Sequence, residues 1–375
     1  MSDQLPETEA LGPLLLSNTP LLDVRAPCEF SEGAAPQAHN IALMNDRERH
    51  RVGLCYSQSG QEAAIALGHQ LVSGETRAQR IEQWIAFARR HPEACLYCSR
   101  GGLRSRIAQQ WLHDAGVTLP RVTDGYKAIR RFLLNGIETH CHDLSPVVVS
   151  GRTGTGKTRL LHRLPNPVDL EGLAAHRGSS FGRMLSPQPA QADFENALAV
   201  ALMQADQAHG APVYVEDESH LIGRCVLPKS LQRRMAAAPL MVLEQPLETR
   251  VGFILQDYVI DMSQAFMDRD GTEAGFAAFR EFLLGALARI RRRLGGLRHQ
   301  QLEAVMTAAL DAQEKHGDLD GHREWIVTLL NDYYDPMYDY QLSRKEGPVL
   351  VQGSFDELLD WSHRSYEHNP IPDIC

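Results

Sequence analysis

The sequence predicts an α/β protein built on parallel sheets. Short apolar segments alternate along the chain with longer segments of helical periodicity, which is the pattern of strands joined by crossover helices. Two of the apolar segments run directly into glycine-rich loops, one beginning at Cys98 and the other at Gly151. Both loops are suited to hold an anion, so they are the first candidates for function.

Composition places the chain among globular proteins. Its 375 residues suffice for two domains with a small third region, and hydrophobic residues make up 43% and charged residues 23% of the total. The formal charge of −9 argues against nucleic-acid binding through the overall field of the protein. Any such contact therefore requires local basic patches.

The cysteines and the N-terminus predict a cytoplasmic protein with reduced thiols. The seven cysteines are odd in number and scattered, and they do not form paired CxxC motifs at zinc spacing. The N-terminus is acidic and lacks the cationic start and apolar run of a secretory signal. No apolar stretch approaches the roughly 20 residues that would span a bilayer.

The first third of the chain alternates predicted strands and helices. Between residues 77 and 90, apolar side chains recur at the i, i+3, i+4 and i+7 positions counted from Ile81, which is one face of a helix. The predicted strands are 21–25, 95–97 and 121–123, and the predicted helices are 62–71, 77–90 and 103–115. We therefore expect a first domain over residues 8–135, followed by a linker over residues 136–145.

A second α/β region follows the predicted linker. It opens with the apolar, β-branched strand 146–150, and further strands are predicted at 212–215 and 240–243. We expect a second domain over residues 146–275. Residues 276–375 are predicted to form a mainly helical, basic region that packs on the second domain.

Residues 98–105, which we call the cysteine loop, have the composition of a site for sulfur chemistry. A nucleophilic cysteine acts as a thiolate, and a persulfide or perselenide on it is also negatively charged. Cys98 lies where a strand ends and a helix begins, a Gly-Gly pair allows a tight turn of backbone N–H groups, and Arg100 and Arg104 add positive charge. Cys98, Arg100 and Arg104 are therefore the candidate catalytic residues. Cys95 is expected in the core, although its spacing leaves a redox pair with Cys98 open.

Residues 151–158, which we call the phosphate loop, match the Walker A pattern G-x-x-x-x-G-K-T without a gap. The glycines allow backbone N–H groups to surround phosphate oxygens, Lys157 would reach the terminal phosphate, and Thr158 would ligate Mg²⁺. Glu216 and Asp217 follow a predicted strand and are candidates for a Walker B partner. The predicted phosphate-binding residues are Gly151, Thr153, Gly154, Gly156, Lys157, Thr158, Glu216 and Asp217. The pattern is specific for a phosphate ligand but much less so for hydrolysis, because a diphosphate ester would fit the same loop.

Residues 20–130 resemble a rhodanese domain. The resemblance rests on residues 22–30 (LDVRAPCEF), on residues 39–41 (HNI) and on the cysteine loop. In rhodaneses the loop cysteine carries a persulfide, so the resemblance implies this role for Cys98.

Nearly the whole chain resembles the tRNA 2-selenouridine synthase family, in which a rhodanese domain precedes a P-loop domain. Beyond the two loops, the resemblance rests on residues 169–182, 216–223 and 333–338, which occur in the family's order and spacing. Two positions depart from the family pattern: Ser99 stands where we expect an aromatic residue, and Asp124 where we expect a second glycine. These departures leave the packing and substrate preference of the cysteine loop open.

The resemblance implies a reaction on tRNA. The family replaces sulfur by selenium in 2-thiouridine at the wobble position of the anticodon stem-loop. The sulfur is first alkylated by geranyl diphosphate, and selenium from selenophosphate then displaces geranylthiolate, which is a better leaving group than a free thiocarbonyl sulfur. Cys98 would carry or steer the selenium, Arg100 and Arg104 would hold the anion, and Lys157 would neutralise the departing diphosphate. Both donors would be co-substrates, with Mg²⁺ held through Thr158 and no tightly bound prosthetic group.

A polar group of four residues is a candidate lining of the substrate pocket. It consists of Asp169, Glu171, His176 and Arg177, in a stretch that is otherwise rich in small residues. The alternative interpretation is a capped helix whose charged face is solvated, and the residue pattern does not decide between the two.

Arginines are the candidate tRNA contacts, because phosphate binding needs local positive charge in this acidic chain. The strongest cluster is on a predicted helix over residues 289–298. The candidates are Arg130, Arg131, Arg233, Arg234, Arg289, Arg291, Arg292, Arg293 and Arg298. Tyr333, Tyr334 and Tyr338 are expected to pack between helices rather than to stack on a base.

Two other activities fit the same motifs. An ATP-dependent tRNA sulfurtransferase would use the phosphate loop to hydrolyse a nucleotide and activate its substrate. A nucleotide-controlled carrier would hold a persulfide or perselenide on Cys98 and pass it to a partner without binding tRNA. The three hypotheses therefore differ in whether they require geranyl diphosphate, ATP turnover and tRNA affinity.

Overall fold

The structure is a computed structural model that describes residues 5–207 and 211–368. In these residues strands and helices alternate and the main sheets are parallel, which confirms the predicted α/β class. The described residues divide into two compact units. Unit 1 is drawn from Met1–Thr139 and Ala190–Gln204, and unit 2 from His140–Pro189 and Ala205–Cys375.

The N-terminal part of the chain follows the predicted alternation closely. Its strands are β1 (Glu7–Thr8), β2 (Leu21–Asp23), β3 (Ala38–Asn40), β4 (Cys95–Tyr97) and β5 (Arg121–Val122). Its helices are α1 (Leu11–Leu16), α2 (Pro27–Ser31), α3 (Asp46–Leu71), α4 (Gly74–Arg90), α5 (Leu103–Asp114) and α6 (Gly125–Asp143). Helix α3 is interrupted at Gly60, whose φ is 83°, so the predicted helix 62–71 corresponds to its second part. The first part was not predicted; it begins at a reciprocal capping box of Asn45 and Glu48, whose side-chain oxygens accept from backbone N–H groups at 2.9 and 2.8 Å.

The sheet of unit 1 places the cysteine loop at its carboxyl edge. Its strands are all parallel in the order β1-β5-β4-β2-β3. Leu22 of β2 lies opposite Leu96 of β4, and both side chains are fully buried. Trp84 and Phe87 of α4 and Trp111 of α5 cover this sheet, so the strand that ends at the cysteine loop is held by a continuous core.

The remaining elements begin with the strand that leads into the phosphate loop. The strands are β6 (Pro146–Ser150), β7 (Pro167–Val168), β8 (Val213–Glu216), β9 (Leu221–Ile222), β10 (Cys225–Val226), β11 (Leu240–Leu243) and β12 (Val349–Gly353). The helices are α7 (Lys157–Leu161), α8 (Leu170–Leu173), α9 (Gln191–Asp206), α10 (Lys229–Ala237), α11 (Leu247–Ile254), α12 (Asp261–Asp270), α13 (Thr272–Arg289), α14 (Arg291–Leu294), α15 (Gly296–His316), α16 (Gly321–Leu329), α17 (Asp335–Leu342) and α18 (Phe355–His368). Two π-helical turns, Leu255–Ile260 and Leu330–Tyr334, join α11 to α12 and α16 to α17.

Most of α9 belongs to unit 1, although it comes after the phosphate loop in the chain. Asn196 of α9 donates to the carbonyl oxygen of Ala34 over 2.6 Å and to the hydroxyl of Tyr126 over 3.1 Å. Asp193 accepts from the backbone N–H of Ala34 over 2.7 Å. The sequence did not predict that residues 190–204, which follow the phosphate loop in the chain, belong to unit 1. The residues predicted as a linker, 136–145, lie for the most part within α6.

The main sheet of unit 2 is parallel, with strand order β12-β11-β6-β8-β7. Every residue of β6 is buried, as its run of three valines predicts for a central strand. Strand β12 comes from the region predicted to be mainly helical, and it extends the sheet beside β11. The other helices of this region form their own core, in which Phe279, Met306 and Leu310 are among the fully buried residues.

The single helix predicted over residues 289–298 is wrong. Helix α13 ends at Arg289, the short α14 follows, and Gly295 adopts a φ of 84° before α15 begins. That positive φ interrupts the helical hydrogen-bond pattern, so the arginines are spread over three elements. Among the described residues, no helix is long and apolar enough to cross a membrane.

Candidate functional site

The cysteine loop connects the carboxyl end of β4 to the start of α5. Cys98 is 3% exposed, and its thiol donates to the hydroxyl oxygen of Ser105 over 3.2 Å. That hydroxyl donates to the carbonyl oxygen of Gly102 over 3.1 Å. Ser105 therefore positions the sulfur atom, a role that the sequence did not assign to it.

The backbone after β5 supports the cysteine loop. The carbonyl oxygen of Cys98 accepts from the backbone N–H of Tyr126 over 2.8 Å. A Cβ atom at Gly125 would overlap that carbonyl oxygen, so only glycine permits the approach. Asp124 adopts a φ of 56°, a conformation that aspartate tolerates better than most residues. The turn is thus kept although Asp124 replaces the expected glycine.

The two arginines of the loop have different surroundings. The guanidinium of Arg104 donates to the carboxylate of Glu29 over 2.5 and 3.0 Å and to the hydroxyl of Ser99 over 3.0 Å. Burial raises the pKa of Glu29, but the hydrogen bond and charge of Arg104 outweigh burial and lower it to about 2. Arg100 is exposed and forms no ion pair with any described residue. The charge of Arg104 is therefore compensated by Glu29, whereas Arg100 is available to an incoming anion.

An apolar cavity of about 350 Å³ adjoins the start of α5 in unit 1. Leu103 and Arg104 line it from α5, and α3 contributes Tyr56, Ala64 and Ile65. Leu103 and Tyr56 are 47% and 59% exposed, so hydrophobic side chains reach the surface at this cavity. The sequence did not reveal it, because its lining comes from helices that are distant along the chain.

The phosphate loop has the backbone expected of its motif. Gly151, Gly154 and Gly156 all have positive φ, and a Cβ atom on Gly151 would lie 2.6 Å from the carbonyl oxygen of Leu243. The ammonium of Lys157 donates to the carbonyl oxygen of Gly151 over 2.8 Å. Lys157 thus lies against its own loop, in reach of the space that a phosphate would occupy.

Residues from the C-terminal region hold the phosphate loop in place. The buried guanidinium of Arg250 donates to the carbonyl oxygen of Thr153 over 2.9 Å and to both carboxylate oxygens of Asp335 over 2.9 and 2.5 Å. Arg152 donates to Asp339 over 2.9 Å. Asp335 belongs to the 333–338 motif, so that motif supports the loop, a function that the sequence did not assign to it.

A cavity of about 520 Å³, the phosphate-loop cavity, brings together most of the predicted binding residues of unit 2. The predicted residues in its lining are Gly151, Thr153, Gly154, Gly156, Lys157, Thr158, Asp169, Glu171, Arg177 and Asp217. Asp217 is fixed by the hydroxyl of Ser150 over 2.6 Å and by an ion pair with Lys345. These contacts fix Asp217 in the lining of the cavity.

Two predicted residues do not line this cavity. Glu216 is buried, and one of its carboxylate oxygens accepts from the backbone N–H groups of Leu170 and Glu171 over 2.8 and 3.4 Å, which caps α8. Its other carboxylate oxygen has no partner among the described residues. His176 lies in a separate cleft that also contains Arg289.

Carboxylates crowd the phosphate-loop cavity. The hydroxyl of Thr158 donates to Glu171 over 3.1 Å. Burial raises the pKa of Glu171, and Lys157 partly opposes it. Burial and the neighbouring carboxylates raise the pKa of Glu216 and of Glu218 as well. These raised pKa values favour the protonated form of the closely packed acids. Glu218 lines the cavity, although it was not among the predicted residues.

Aromatic and apolar side chains also contribute to the lining of the cavity. Phe253, Tyr258, Tyr334, Met337 and Tyr338 line it. Burial raises the pKa of Tyr258 to about 12, so its hydroxyl is neutral. The 333–338 motif could have indicated Tyr334, Met337 and Tyr338 as lining residues. Tyr258 lies on the π-helical turn before α12, and no sequence motif marks that turn.

The predicted tRNA-binding arginines differ in how many contacts their side chains make within the protein. Arg130 forms an ion pair with Glu195 and donates to Asn196 over 2.7 Å, so it holds α9 within unit 1. Arg234 donates to the carbonyl oxygen of Leu144, and Arg293 to the hydroxyl of Tyr333 over 3.4 Å. The candidates with exposed side chains and neither an ion pair nor a side-chain hydrogen bond to a described residue are Arg131, Arg233, Arg291 and Arg292.

The family of the chain follows from its relatives. Residues 144–369 match the family model described as the tRNA 2-selenouridine synthase AAA domain. The chain is 56% identical over 357 residues to the tRNA 2-selenouridine synthase of Marinobacter nauticus, a match that covers 95% of this chain and 97% of that protein. It belongs to the tRNA 2-selenouridine synthase family. A second member of this family, from Hahella chejuensis, is 51% identical over 358 residues, or 95% of this chain and 94% of that protein. The phosphate loop and its cavity thus lie within the part that matches the AAA domain of the family.

Proposed function

We propose that this protein replaces sulfur by selenium in 2-thiouridine of tRNA, through an S-geranyl intermediate. One observation carries the proposal: a single member of this family contains both a buried loop thiol beside an apolar cavity and a phosphate loop whose cavity is also lined by aromatic side chains. Each half supports one stage of the reaction.

The phosphate-loop cavity suits a prenyl diphosphate. Lys157 and the backbone of the phosphate loop would bind the diphosphate. Aromatic and apolar side chains of the lining, among them Tyr258 and Met337, would contact the hydrocarbon chain. A nucleotide would need the same phosphate contacts, but the apolar part of the lining favours an isoprenoid. A volume of about 520 Å³ is sufficient for a ligand of this size.

In the first stage, the sulfur of 2-thiouridine attacks C1 of geranyl diphosphate. The new S–C bond forms as the C–O bond to the diphosphate breaks, and the electron pair leaves on the diphosphate oxygen. Lys157 would stabilise the charge that develops there. Thr158 and Glu171 offer hard oxygen atoms 3.1 Å apart, which fit Mg²⁺, and when bound that ion would neutralise further phosphate charge.

In the second stage, the selenium atom of selenophosphate adds to C2 of the nucleoside, and geranylthiolate leaves with the electrons of the C–S bond. Water then attacks the phosphorus atom and breaks the P–Se bond, which gives phosphate and 2-selenouridine, and the base regains its N3 proton. Unit 1 would act as a rhodanese-like domain in which Cys98 steers the selenium donor, with Arg100 contacting the anion. The selenium stays on its phosphate until it reaches C2, because a perselenide on Cys98 would need a two-electron oxidant. The apolar cavity beside the cysteine loop supports the S-geranyl intermediate, because the geranyl group needs a hydrophobic surface where selenium enters.

Incubating the purified protein with thiolated tRNA and each donor separately tests the proposal. We expect geranyl diphosphate alone to give S-geranyl-2-thiouridine, and selenophosphate to convert that product to 2-selenouridine, both measured by mass spectrometry of tRNA nucleosides. A requirement for ATP turnover without any effect of geranyl diphosphate would instead identify an ATP-dependent sulfurtransferase. Persulfide formation without tRNA affinity would identify a carrier.

A further inference from the structure

Unit 2 contains a second polar cleft, of about 560 Å³, which we call the arginine cleft. Arg183, Arg224 and Arg289 contribute positive charge to its lining, and none of the described residues that line it is aspartate or glutamate. The whole chain carries a formal charge of −9, so this local excess of positive charge runs against the average composition. The cleft therefore has the electrostatic character of an anion site.

The three arginines have no carboxylate partners in the described parts of the chain. The guanidinium of Arg289 donates to the carbonyl oxygen of Ser180 over 2.7 Å, and that of Arg224 donates to the carbonyl oxygen of Gln188. The guanidinium of Arg183 has no hydrogen bond or ion pair to a described residue. Burial lowers the pKa of Arg289, and the charge of Arg183 lowers it further. Two cations that repel each other without a counter-ion would be stabilised by a bound anion.

A buried histidine adds a hydrogen-bonding group to the cleft. His176 is 6% exposed, and its Nδ1 atom has no partner among the described residues. Burial lowers the pKa of His176, and Arg183 and Arg289 lower it further, so the imidazole is neutral at pH 7. An unpaired polar atom that is buried costs free energy, and an oxygen atom of a ligand in the cleft would remove that cost.

The walls of the cleft are fixed by hydrogen bonds. His176 and Arg183 pair as an antiparallel bridge. The side chain of Gln188 donates to the carbonyl oxygen of Ile222 over 3.0 Å and accepts from the backbone N–H of Arg224 over 2.9 Å. The backbones that carry two of the arginines are therefore positioned before any ligand arrives.

The arginine cleft adjoins the phosphate-loop cavity. Gly178 and Ser179 contribute to the lining of both. The turn that contains them is anchored by Phe181, which is buried and stacks on Trp325 with ring centroids 6.1 Å apart. A substrate held in the arginine cleft would thus lie next to the predicted diphosphate site.

The geometry points to a second phosphate site: the arginine cleft binds a phosphate group through Arg183, Arg224 and Arg289, with His176 as a hydrogen-bonding partner. This inference rests on the proposed function and deepens it, because both the tRNA and the selenium donor carry phosphate. The phosphodiester backbone of tRNA and the phosphate of selenophosphate share this chemistry, and titrations with the two substrates distinguish them.

The test compares the full-length protein with a double variant, Arg183→Gln with Arg289→Gln, and a matched control, Arg364→Gln. Arg364 is an exposed arginine on α18 in unit 2, and its guanidinium contacts only the carbonyl oxygen of Asp360 among the described residues. Melting temperatures establish that all three proteins fold. Binding of thiolated tRNA is measured at several salt concentrations, and selenation of tRNA that is already geranylated is measured against selenophosphate concentration.

If the phosphate comes from tRNA, the double variant binds tRNA about tenfold more weakly and the salt dependence of binding falls by about one unit per lost contact. If it comes from the donor, tRNA binding is unchanged and about tenfold more selenophosphate is needed for half-maximal selenation. In either case Arg364→Gln behaves as wild type. A folded double variant that is unchanged in both titrations would overturn the inference. Failure of the wild-type protein to make 2-selenouridine would count against the proposed function instead, because tRNA binding is measured without turnover.

Discussion

The cysteine loop and the phosphate loop share a similar backbone arrangement but differ in their surroundings. Each follows the carboxyl end of a buried parallel strand and relies on glycines at positive φ. The neighbours of the two loops differ. Glu29 compensates the charge beside Cys98, and the adjoining cavity is apolar. Carboxylates with raised pKa values lie near Lys157, and aromatic side chains contribute to the lining of the cavity there.

Under the proposed function, the backbone of each glycine-rich loop provides an anion site, and the surrounding side chains select the reaction. The cysteine loop offers one uncompensated cation, Arg100, and a thiol whose position is set by Ser105. The phosphate loop offers a lysine and a hydroxyl among buried acids. If the two loops perform separate stages, substitutions in each should block one product and spare the other.

Replacing Cys98 should have the largest effect. We expect Cys98→Ala to abolish 2-selenouridine formation and to leave geranylation intact, because only the second stage needs the thiol. The matched control is Cys95→Ala in the same strand region, where burial raises the thiol pKa to about 11 and makes it unreactive near pH 7. Mass spectrometry of tRNA nucleosides detects both S-geranyl-2-thiouridine and 2-selenouridine. Full selenation by Cys98→Ala would refute the proposed role of Cys98 in the second stage.

Replacing Lys157 should produce the reciprocal defect. We expect Lys157→Ala to slow geranylation about a hundredfold, because it removes a positive charge from the leaving diphosphate. Supplying tRNA that is already geranylated provides the internal control, since its conversion to 2-selenouridine should proceed at the wild-type rate. An equal loss of both reactions would mean that the phosphate loop also serves the selenium donor.

Filling the apolar cavity should have an intermediate effect. Ala64→Phe places a large side chain in the cavity beside the cysteine loop, and we expect selenation of geranylated tRNA to fall about tenfold through lost hydrophobic contact. Ala66→Phe, on the exposed face of the same helix, is the matched control. The thermal unfolding of both variants shows whether overpacking has disturbed unit 1. Unchanged selenation by a folded Ala64→Phe variant would exclude the cavity from the reaction.

The smallest expected effect is on the free energy of unfolding, to which the Glu29–Arg104 ion pair contributes in a pH-dependent way. The folded pKa of Glu29 is about 2, below its ordinary value of 4.5, so the charged pair stabilises the fold above about pH 4.5. That contribution is lost as the pH falls towards 2. We expect Glu29→Gln to be less stable than wild type by about 1 kcal/mol at pH 7, with the difference disappearing near pH 2. Urea unfolding across this pH range measures it, and a constant difference would contradict the assignment.

The sequence predicted the elements that depend on local pattern. Strand β4 at Cys95–Tyr97 and strand β6 at Pro146–Ser150 lie where their apolar runs placed them. The residues of the phosphate loop meet in one cavity, because the motif itself specifies their arrangement. These features need only neighbouring residues to form.

Features that depend on distant parts of the chain were not predictable in the same way. Helix α9 returns to unit 1 through contacts of Asn196 with Ala34 and Tyr126, which lie 162 and 70 residues earlier. Strand β12 joins the sheet of unit 2 from a region that reads as helical. Glu216 was predicted to bind phosphate together with its neighbour Asp217. Consecutive side chains along an extended chain point in opposite directions, so only Asp217 lines the cavity, and Glu216 caps α8.

The central claim is that the two loops carry out separate stages of one reaction. The most direct test is to measure, by nucleoside mass spectrometry, the products of Cys98→Ala and Lys157→Ala with both donors present. We predict that Cys98→Ala accumulates S-geranyl-2-thiouridine in tRNA, that Lys157→Ala leaves 2-thiouridine unchanged, and that a mixture of the two proteins restores 2-selenouridine. If Cys98→Ala accumulates no geranylated nucleoside and the mixture makes no 2-selenouridine, the division of labour between the loops is contradicted.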